Sequence, residues 1–435
     1  MHTINKIRET FRSRNVAVLT GTQTLWMFTA FLWWPYRSLF ILELGATKET
    51  LGMLLMIETL GQVVFQLPGG MLADRFGRKK VIVLGTAFRV ASCLVYLLSA
   101  HWIHTAPALL LASAGMLGLP AMTALIAESL PEEGRSAGFA AYRTVTWMPM
   151  IVTNLLGGFF MDYFGVLSGV RLCMKAALVV SIVSTILRWR MLEETFDHDE
   201  HQESSAMTFD VKSLRESLGA VSREIWVMTL VAALSGFAMR IVWSFMVVYA
   251  VEEVGLTTTQ WGLIGTAISV ISTLLTYPGG MLADRVGRKP CIIVSRILSP
   301  LSTIGFTFST SFWQMGVTRA LGGLAHGFGG LVWGPMGGPV WQALVADLTT
   351  PQNRGMMMGL MGSIAGVVST PASWLGGYMY DNISPKLPFQ TSFLIDIVAT
   401  VIFVLLLKEP ERARPKVEPV ETPDGAGSLE TVKSS

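Results

Sequence analysis

The sequence predicts an all-α membrane protein with twelve transmembrane helices in two pseudo-symmetric six-helix bundles. Three observations favour this fold class. Of the 435 residues, 51% are hydrophobic and only 14% are charged, whereas soluble proteins carry roughly 25% charged residues. Twelve stretches are apolar over the length of about 20 residues that a bilayer requires. A long internal repeat divides the chain into two homologous halves, as in many membrane transporters.

The twelve predicted spans are separated by short polar segments. They lie at 16–42, 51–73, 81–99, 106–128, 137–160, 173–192, 226–251, 259–283, 290–309, 315–346, 355–379 and 388–407. The tenth span is rich in glycine and contains Pro335 and Pro339, so we expect it to be kinked. The spans define an N-terminal segment (1–15), an N-terminal bundle (16–192), a linker (193–225), a C-terminal bundle (226–408) and a tail (409–435).

Basic residues predict the orientation of these spans. Lys and Arg are concentrated in the N-terminal segment, the even-to-odd loops, the linker and the tail. The intervening loops hold only Lys48, Arg171 and Lys386. Because positively charged loops stay on the cytoplasmic side, we predict that both termini are cytoplasmic. The chain is expected to be an integral protein of the cell (plasma) membrane, and its first span is too long for a cleaved signal.

The polar regions point to few other partners. The second part of the linker places apolar residues on one helical face, which is typical of a short amphipathic helix on the membrane surface. The tail has the composition of a disordered segment. The three cysteines match neither a disulfide framework nor a zinc site, so no metal is expected. The net charge of +3 is too scattered to suggest nucleic acid. We expect a monomer in the lipid bilayer that binds a small-molecule substrate.

The octapeptide PGGMLADR occurs at 68–75 and again at 278–285, each time followed by a basic cluster. Upstream residues recur at the same offset of 210: Gly45, Thr47 and Gly52 as Gly255, Thr257 and Gly262. A second set recurs at an offset of 219: Gly118, Pro120, Glu128, Arg135, Gly157, Gly158 and Asp162 as Gly337, Pro339, Asp347, Arg354, Gly376, Gly377 and Asp381.

Twelve spans in two halves, with G-x-x-x-D-R-x-G-R-K after the second, resemble the major facilitator superfamily. The motif residues here are Gly70, Asp74, Arg75, Gly77, Arg78 and Lys79, and their copies Gly280, Asp284, Arg285, Gly287, Arg288 and Lys289. The resemblance covers residues 16 to 408 and implies a secondary transporter. Two elements of drug–proton antiporters are incomplete: the fourth span lacks an arginine, and G-P-x-x-G-G in the fifth is only partly present.

Helix dipoles explain why this motif contains aspartate. The start of a helix carries about half a positive charge, so it stabilises a nearby carboxylate. We therefore expect Asp74 to face the start of helix 11 near Arg354, and Asp284 the start of helix 5 near Arg135. Ion pairs are expected between Arg78 and Glu128 and between Arg288 and Asp347, with tight turns at Gly77 and Gly287. The predicted gating set is Gly70, Asp74, Arg75, Gly77, Arg78, Glu128, Arg135, Gly280, Asp284, Arg285, Gly287, Arg288, Asp347 and Arg354.

Ionisable residues inside spans cost about 2.5–3.5 kcal/mol on insertion scales and therefore need a role. By the family resemblance, helices 3, 6, 9 and 12 brace the outside, so Arg89, Arg296 and Asp396 are interpreted as members of structural pairs. The predicted substrate and proton pathway is Trp33, Arg37, Glu58, Gln62, Arg143, Trp147, Arg240, Trp243 and Arg319. His326 could carry a proton, although a packed neutral histidine is the simpler interpretation.

Two substrate classes remain open from the sequence. Thirteen tryptophans and 24 methionines favour efflux of amphipathic or drug-like compounds, because such soft surfaces adapt to varied shapes. Several cavity arginines against one glutamate favour an organic anion or a sugar acid instead. A transporter-like receptor is an alternative of another class. No nucleophile–base pair indicates an enzyme, and no cofactor is expected. As a hypothesis, Glu58 alternates between binding a proton and pairing with Arg37 or Arg240, so that the proton gradient supplies energy.

Overall fold

The computed structural model describes residues 12–130, 135–195, 221–329, 337–350 and 354–408. Every regular element in these ranges is helical. The amphipathic helix predicted for the linker and the disordered tail predicted at 409–435 lie outside the described residues. The remaining elements form two successive sets of six helical spans.

The first six spans form the N-half. They are α1 (Arg14–Glu43), α2 (Lys48–Phe76), α3 (Arg78–Leu98), α4 (Trp102–Glu128), α5 (Arg135–Trp147 and Met150–Phe164) and α6 (Val166–Met191). The Thr47 side chain caps α2 by accepting a hydrogen bond from the Thr50 backbone N–H, as threonine does at helix starts. Gly77 joins α2 to α3 with a φ of 91°, a conformation that side chains disfavour. The tight turn predicted there is confirmed.

The other six spans form the C-half. They are α7 (Arg223–Glu252), α8 (Thr258–Val286), α9 (Arg288–Phe308), α10 (Phe312–Phe328 and Pro339–Asp347), α11 (Arg354–Ser369 and Ala372–Asn382) and α12 (Leu387–Leu406). Thr257 and Gln260 form a reciprocal capping box at the start of α8, which satisfies two backbone N–H groups. Gly287 repeats the turn of Gly77, with a φ of 112°.

Over the described residues, ten of the twelve spans are helical stretches that are long and apolar enough to cross a membrane, although a turn at 148–149 interrupts α5. The other two, α10 and α11, are each divided within the described ranges. In α11 the division is a turn at 370–371, whereas in α10 residues 330–336 lie outside the description. The kink predicted for span ten falls on that region and stays a prediction.

Three clusters of buried apolar side chains show where the halves meet. One lies in the N-half and includes Leu19 and Leu125, and a second lies in the C-half and includes Trp341. The third joins residues of both halves, such as Tyr36 and Phe245. Among the described residues, the halves therefore share a core only at the end where α1 passes to α2 and α7 to α8, called the opposite face. They have separate cores at the end that carries the start of α1 and the end of α12, called the termini face.

Buried charges outside the interface brace the individual halves. Arg296 on α9 lies 3.5 Å from Asp396 on α12, and the Ser235 hydroxyl donates to the same carboxylate at 2.8 Å. The structural pairing predicted for these two residues is confirmed. Arg89 instead lies over the Trp26 ring, 4.4 Å from its centroid. Arg188, which sequence reasoning did not single out, is fully buried and donates to the side chains of Thr22, Gln23 and Thr86.

Candidate functional site: a cavity between the two halves

A cavity of about 1250 Å³ lies between the halves. Its walls come from α1 and α5 on one side and from α7, α8 and α10 on the other. The lining continues along α8 to Gly280 and Asp284 and includes Gln342 on the second segment of α10, all near the termini face. Because the shared core closes the opposite face, the cavity is a deep pocket that opens towards the termini face.

Seven aromatic side chains contribute to the cavity wall. Those in the lining are Phe31, Trp34, Tyr36, Trp147, Trp243, Trp261 and Tyr277. Trp34 of the N-half and Trp243 of the C-half approach each other across the interface, with ring centroids 6.4 Å apart. The lining also contains hydroxyl and amide side chains, and its basic side chains are Arg37, Arg143, Arg319 and His326. A largely apolar pocket with a few directed charges is typical of a site for an organic ligand.

The predicted pathway is only partly assembled around this cavity. Arg37, Arg143, Trp147, Trp243 and Arg319 line it. The others lie outside the lining: Trp33, Glu58, Gln62 and Arg240. Trp33 lies outside the lining because of the rotation of α1 about its axis. The next residue, Trp34, faces the cavity, whereas the Trp33 ring packs on Tyr96 of α3, with ring centroids 5.5 Å apart.

Glu58 lies behind the cavity wall rather than in it. Its carboxylate accepts a hydrogen bond from Arg37 at 2.9 Å, and both side chains are about one-tenth exposed, at 11% and 10%. On the C-half side, Arg240 donates to the hydroxyl of the adjacent Thr59 at 2.7 Å. Arg37 itself faces the cavity. Arg37 therefore connects the cavity wall to the buried carboxylate behind it.

At the opposite face, α5 and α8 are joined by a charged contact. The Asp162 carboxylate accepts hydrogen bonds from the backbone N–H groups of Thr258 and Thr259, at 2.9 and 2.8 Å, and from the Thr258 hydroxyl at 2.6 Å. These groups form the start of α8, where the helix dipole is positive. Gly158 lets the backbones approach closely, since a Cβ there would lie 2.2 Å from the Thr258 carbonyl oxygen.

The same contact is repeated between α11 and α2. The Asp381 carboxylate accepts a hydrogen bond from the Glu49 backbone N–H at 2.7 Å, at the start of α2. A Cβ on Gly377 would lie 2.2 Å from the Lys48 carbonyl oxygen. The repeat at offset 219 contains these glycines and aspartates, but sequence reasoning assigned no role to them. The signal in the sequence was an aspartate at the end of a span on the same side as the start of another span. This signal could have identified contacts between the halves at the opposite face.

At the termini face, the predicted ion pairs are present. Arg78 lies 2.5 Å from Glu128, and Arg288 contacts Asp347. Each pair joins helices within one half, so it stabilises that half rather than the contact between halves. Glu194, which follows α6, caps the start of α3 by accepting hydrogen bonds from the backbone N–H groups of Arg78 and Lys79.

The first aspartate of the repeated octapeptide, Asp74, is paired within its own half in this open arrangement. The Asp74 side chain is 64% exposed, and its ion-pair partner is Arg78 at 4.0 Å. Asp284 lies in the cavity lining near its mouth. In the described residues the Arg354 side chain donates to the Ala346 carbonyl oxygen of its own half. The contacts predicted for Asp74 with α11 and for Asp284 with α5 belong to a state closed at the termini face, and stay predictions.

Comparison with known families is consistent with this geometry. The model described as Major Facilitator Superfamily matches residues 19–231 and 228–433, covering nearly the whole chain in two copies. The chain belongs to the Major Facilitator Superfamily. Members of this superfamily are membrane transporters, so the chain is an integral membrane transporter and not an enzyme.

Individual relatives are distant. The Quinolone resistance protein NorA of Staphylococcus aureus is 26% identical over 164 residues, 37% of this chain and 39% of NorA, so the chain matches less than half the length of that relative. A bacterial homolog of the human lysosomal transporter Spinster, solved in an inward-facing and unoccupied conformation, superposes with a TM-score of 0.69 at 14% identity, over 91% of this chain and 97% of that one. The D-xylose-proton symporter superposes with a TM-score of 0.67 at 16% identity, over 91% of this chain and 98% of that one. Both likenesses concern the fold.

Proposed function

We propose that this superfamily member is a proton-coupled secondary transporter that exports amphipathic organic compounds across the cell membrane by alternating access. The observation that carries the proposal is the cavity of about 1250 Å³ between the halves. Its aromatic walls suit a bulky, partly apolar ligand. The partial similarity to a quinolone resistance protein supports the same substrate range.

The direction of transport is proposed from the loops and the cavity mouth together. The distribution of Lys and Arg assigns the termini face to the cytoplasm. The cavity opens on that face, so the present arrangement would load a substrate from the cytoplasm or the inner leaflet. Export then requires the termini face to close and the contacts of Asp162 and Asp381 to open.

Coupling to protons is proposed at Glu58. A carboxylate held by Arg37 just behind the cavity wall is neutralised in one of two ways, by the arginine or by a proton. When a proton binds Glu58, Arg37 is released towards the cavity, and the cavity gains a positive charge. Proton binding and ligand binding are thereby linked through one guanidinium, which is the requirement for coupled transport.

Transport by purified protein tests the proposal. The protein would be reconstituted in inside-out orientation in vesicles with an acidic lumen, and presented with cationic, neutral and anionic aromatic dyes. Accumulation of at least one dye that stops on addition of a protonophore is the expected result. If binding occurs without accumulation of any dye, the chain acts as a transporter-like receptor and the proposed function is wrong.

A second candidate is import or exchange of an organic anion or sugar acid. Arg143 and Arg319 in the cavity wall favour it. The same vesicles distinguish the two, because a proton symporter moves its substrate in the direction of the proton. Right-side-out vesicles in acidic medium would then accumulate the anion, whereas an exporter that exchanges its substrate for protons would accumulate it in the inverted vesicles.

A further inference from the structure

Arg319 is held in the cavity wall without a counter-charge. It lies on the first segment of α10, and its guanidinium carbon is 5.9 Å from the centroid of the Trp261 ring and 5.6 Å from that of Phe306. Both distances fall within the range of cation–π attraction. Among the described residues it has no ion-pair partner and no hydrogen-bond acceptor, and its Nε is buried and unpaired. Aromatic faces offset part of the cost of burying a cation, but they leave its five N–H donors unused.

The other arginines of the cavity are in different situations. Arg37 is neutralised by Glu58 at 2.9 Å. Arg143 is exposed to the open cavity, where water can hydrate it. Arg319 therefore combines a position in the wall, a buried Nε and the absence of any carboxylate partner in the part of the chain that the structure describes. A half-buried cation without a counter-charge is suited to bind an anion.

The carboxylate of the cavity lining is too distant to supply that charge. Asp284 lies on the same helix as Trp261, 23 residues further on, which is roughly 35 Å at the helical rise of about 1.5 Å per residue. Arg319 contacts Trp261, so it lies near the closed end while Asp284 lies at the mouth. The closed end is bordered by aromatic rings that can hold a planar ligand, including Trp34, Trp243 and Trp261.

We propose that Arg319 is the anchor for an anionic group of the substrate, with the substrate's aromatic body packed along the tryptophans of the cavity. The ligand class is an amphipathic aromatic anion, such as an aryl carboxylate. The guanidinium donates two parallel N–H bonds to such a group, an arrangement for which arginine is suited. This inference rests on the proposed function in that the cavity is taken to hold the substrate.

Equilibrium binding tests the anchor separately from transport. The probes are 2-naphthoate, the uncharged 2-naphthamide and the cationic 2-naphthylmethylammonium, which share one ring system. Binding to the full-length protein in detergent would be followed by quenching of tryptophan fluorescence. We expect naphthoate to bind at least about ten-fold more tightly than the amide, since hydrogen bonds between charged groups are the strong ones. Arg319→Gln should remove this preference and leave amide binding unchanged.

Two further variants complete the test. Arg319→Lys keeps the charge and should restore part of the preference for naphthoate. Arg143→Gln, the matched loss of an arginine from the same cavity, should reduce the preference less than two-fold. The inference is overturned if naphthoate binds no better than the amide, or if Arg319→Gln keeps the preference. If the dyes still accumulate in the vesicles, either of these results leaves the proposed function intact. If no dye accumulates but the protein prefers naphthoate, the proposed function alone is overturned.

Discussion

Two buried arginine–carboxylate pairs in this protein have the same chemistry but different surroundings. Arg296 and Asp396 join α9 to α12 on the outer side of the C-half, with Ser235 completing the network. Arg37 and Glu58 join α1 to α2, and the arginine also faces the cavity. Only the second pair can respond to a ligand, so only the second is a candidate for coupling.

Glu58→Gln should abolish accumulation driven by the proton gradient and leave substrate binding, together with exchange, largely intact. Glutamine cannot take up a proton, so the two states of the pair no longer differ in charge. Counterflow and gradient-driven uptake measured in the same vesicles separate these activities. The variant also leaves Arg37 without its partner, and loss of one member of a buried pair destabilises by about 3–5 kcal/mol, so thermal stability must be measured in parallel.

Asp396→Asn is the matched control for Glu58→Gln. It breaks a buried pair of the same type away from the cavity, so it should lower the unfolding temperature and retain gradient-driven uptake per folded molecule. Gradient-driven accumulation by Glu58→Gln would show that Glu58 is a structural counter-charge and that coupling occurs elsewhere.

At the scale of helices, one type of contact recurs. An aspartate at the end of one helix accepts hydrogen bonds from backbone N–H groups at the start of another. Asp162 caps α8 and Asp381 caps α2, and each contact crosses between the halves. The motif predicts the mirror arrangement at the termini face, from Asp74 to α11 and from Asp284 to α5. The two sets cannot form together if the halves rock about the cavity, so they are suited to stabilise opposite states.

Asp162→Asn and Asp381→Asn should shift the population towards opening at the opposite face. Each substitution weakens a charge–dipole contact that contributes about 0.3–2 kcal/mol. The double variant should show roughly the sum of the two free-energy changes because the two contacts share no residue. Distances between spin labels placed on the two halves at that face would increase. Glu253→Gln is the control, since it removes an exposed carboxylate of the same face that has no hydrogen bond or ion pair in the described residues.

Asp74→Asn and Asp284→Asn should have the reverse effect and favour states open at the termini face. The closed state loses a charge–dipole contact, whereas the open arrangement, in which Asp74 is 64% exposed, loses little. Labelling of single cysteines in the cavity by a membrane-impermeant maleimide applied from the side of the termini face should be faster in each variant. Unchanged labelling in both would contradict the gate assigned to the repeated octapeptide.

For the whole molecule, the distribution of the apolar cores shows which end of the cavity is closed. In the part of the chain that the structure describes, the halves share a buried apolar core only near the opposite face and keep separate cores near the termini face. Each half can therefore move as a unit while its own core stays packed. Glycines at the closed end bring the helix backbones into contact, and a side chain at these positions acts against closure.

Gly158→Leu and Gly377→Leu should each prevent closure of the opposite face. The Cβ alone would lie 2.2 Å from a carbonyl oxygen of the other half in each case, a separation that neither backbone can accommodate without moving apart. Spin-label distances at the opposite face should lengthen, and transport should be lost while the protein stays folded. Gly236→Leu, at a helical position with no atom within 4 Å of the Cβ, is the control and should retain the wild-type distances.

Local patterns were sufficient to predict the fold and part of the site. Apolar length predicts each span independently of its neighbours, and the repeats at 210 and 219 predict two related halves. The turns at Gly77 and Gly287 and the ion pairs of Arg78 and Arg288 follow from short motifs. The spans and turns depend on residues within one helix or one loop, whereas the two ion pairs join neighbouring helices of one half and were predicted from the repeated motif and the family resemblance.

Tertiary structure alone decided which side chains share the cavity. Trp33 and Trp34 are adjacent in sequence, yet only the rotation of α1 against its neighbours directs Trp34 to the cavity and Trp33 to Tyr96. Likewise, Glu58 lies behind Arg37 rather than in the wall, and Asp162 and Asp381 acquire their role only when the start of a helix from the other half meets them. Burial in the membrane is a property of each segment by itself, whereas contact across the halves depends on the relative rotation and approach of helices far apart in sequence.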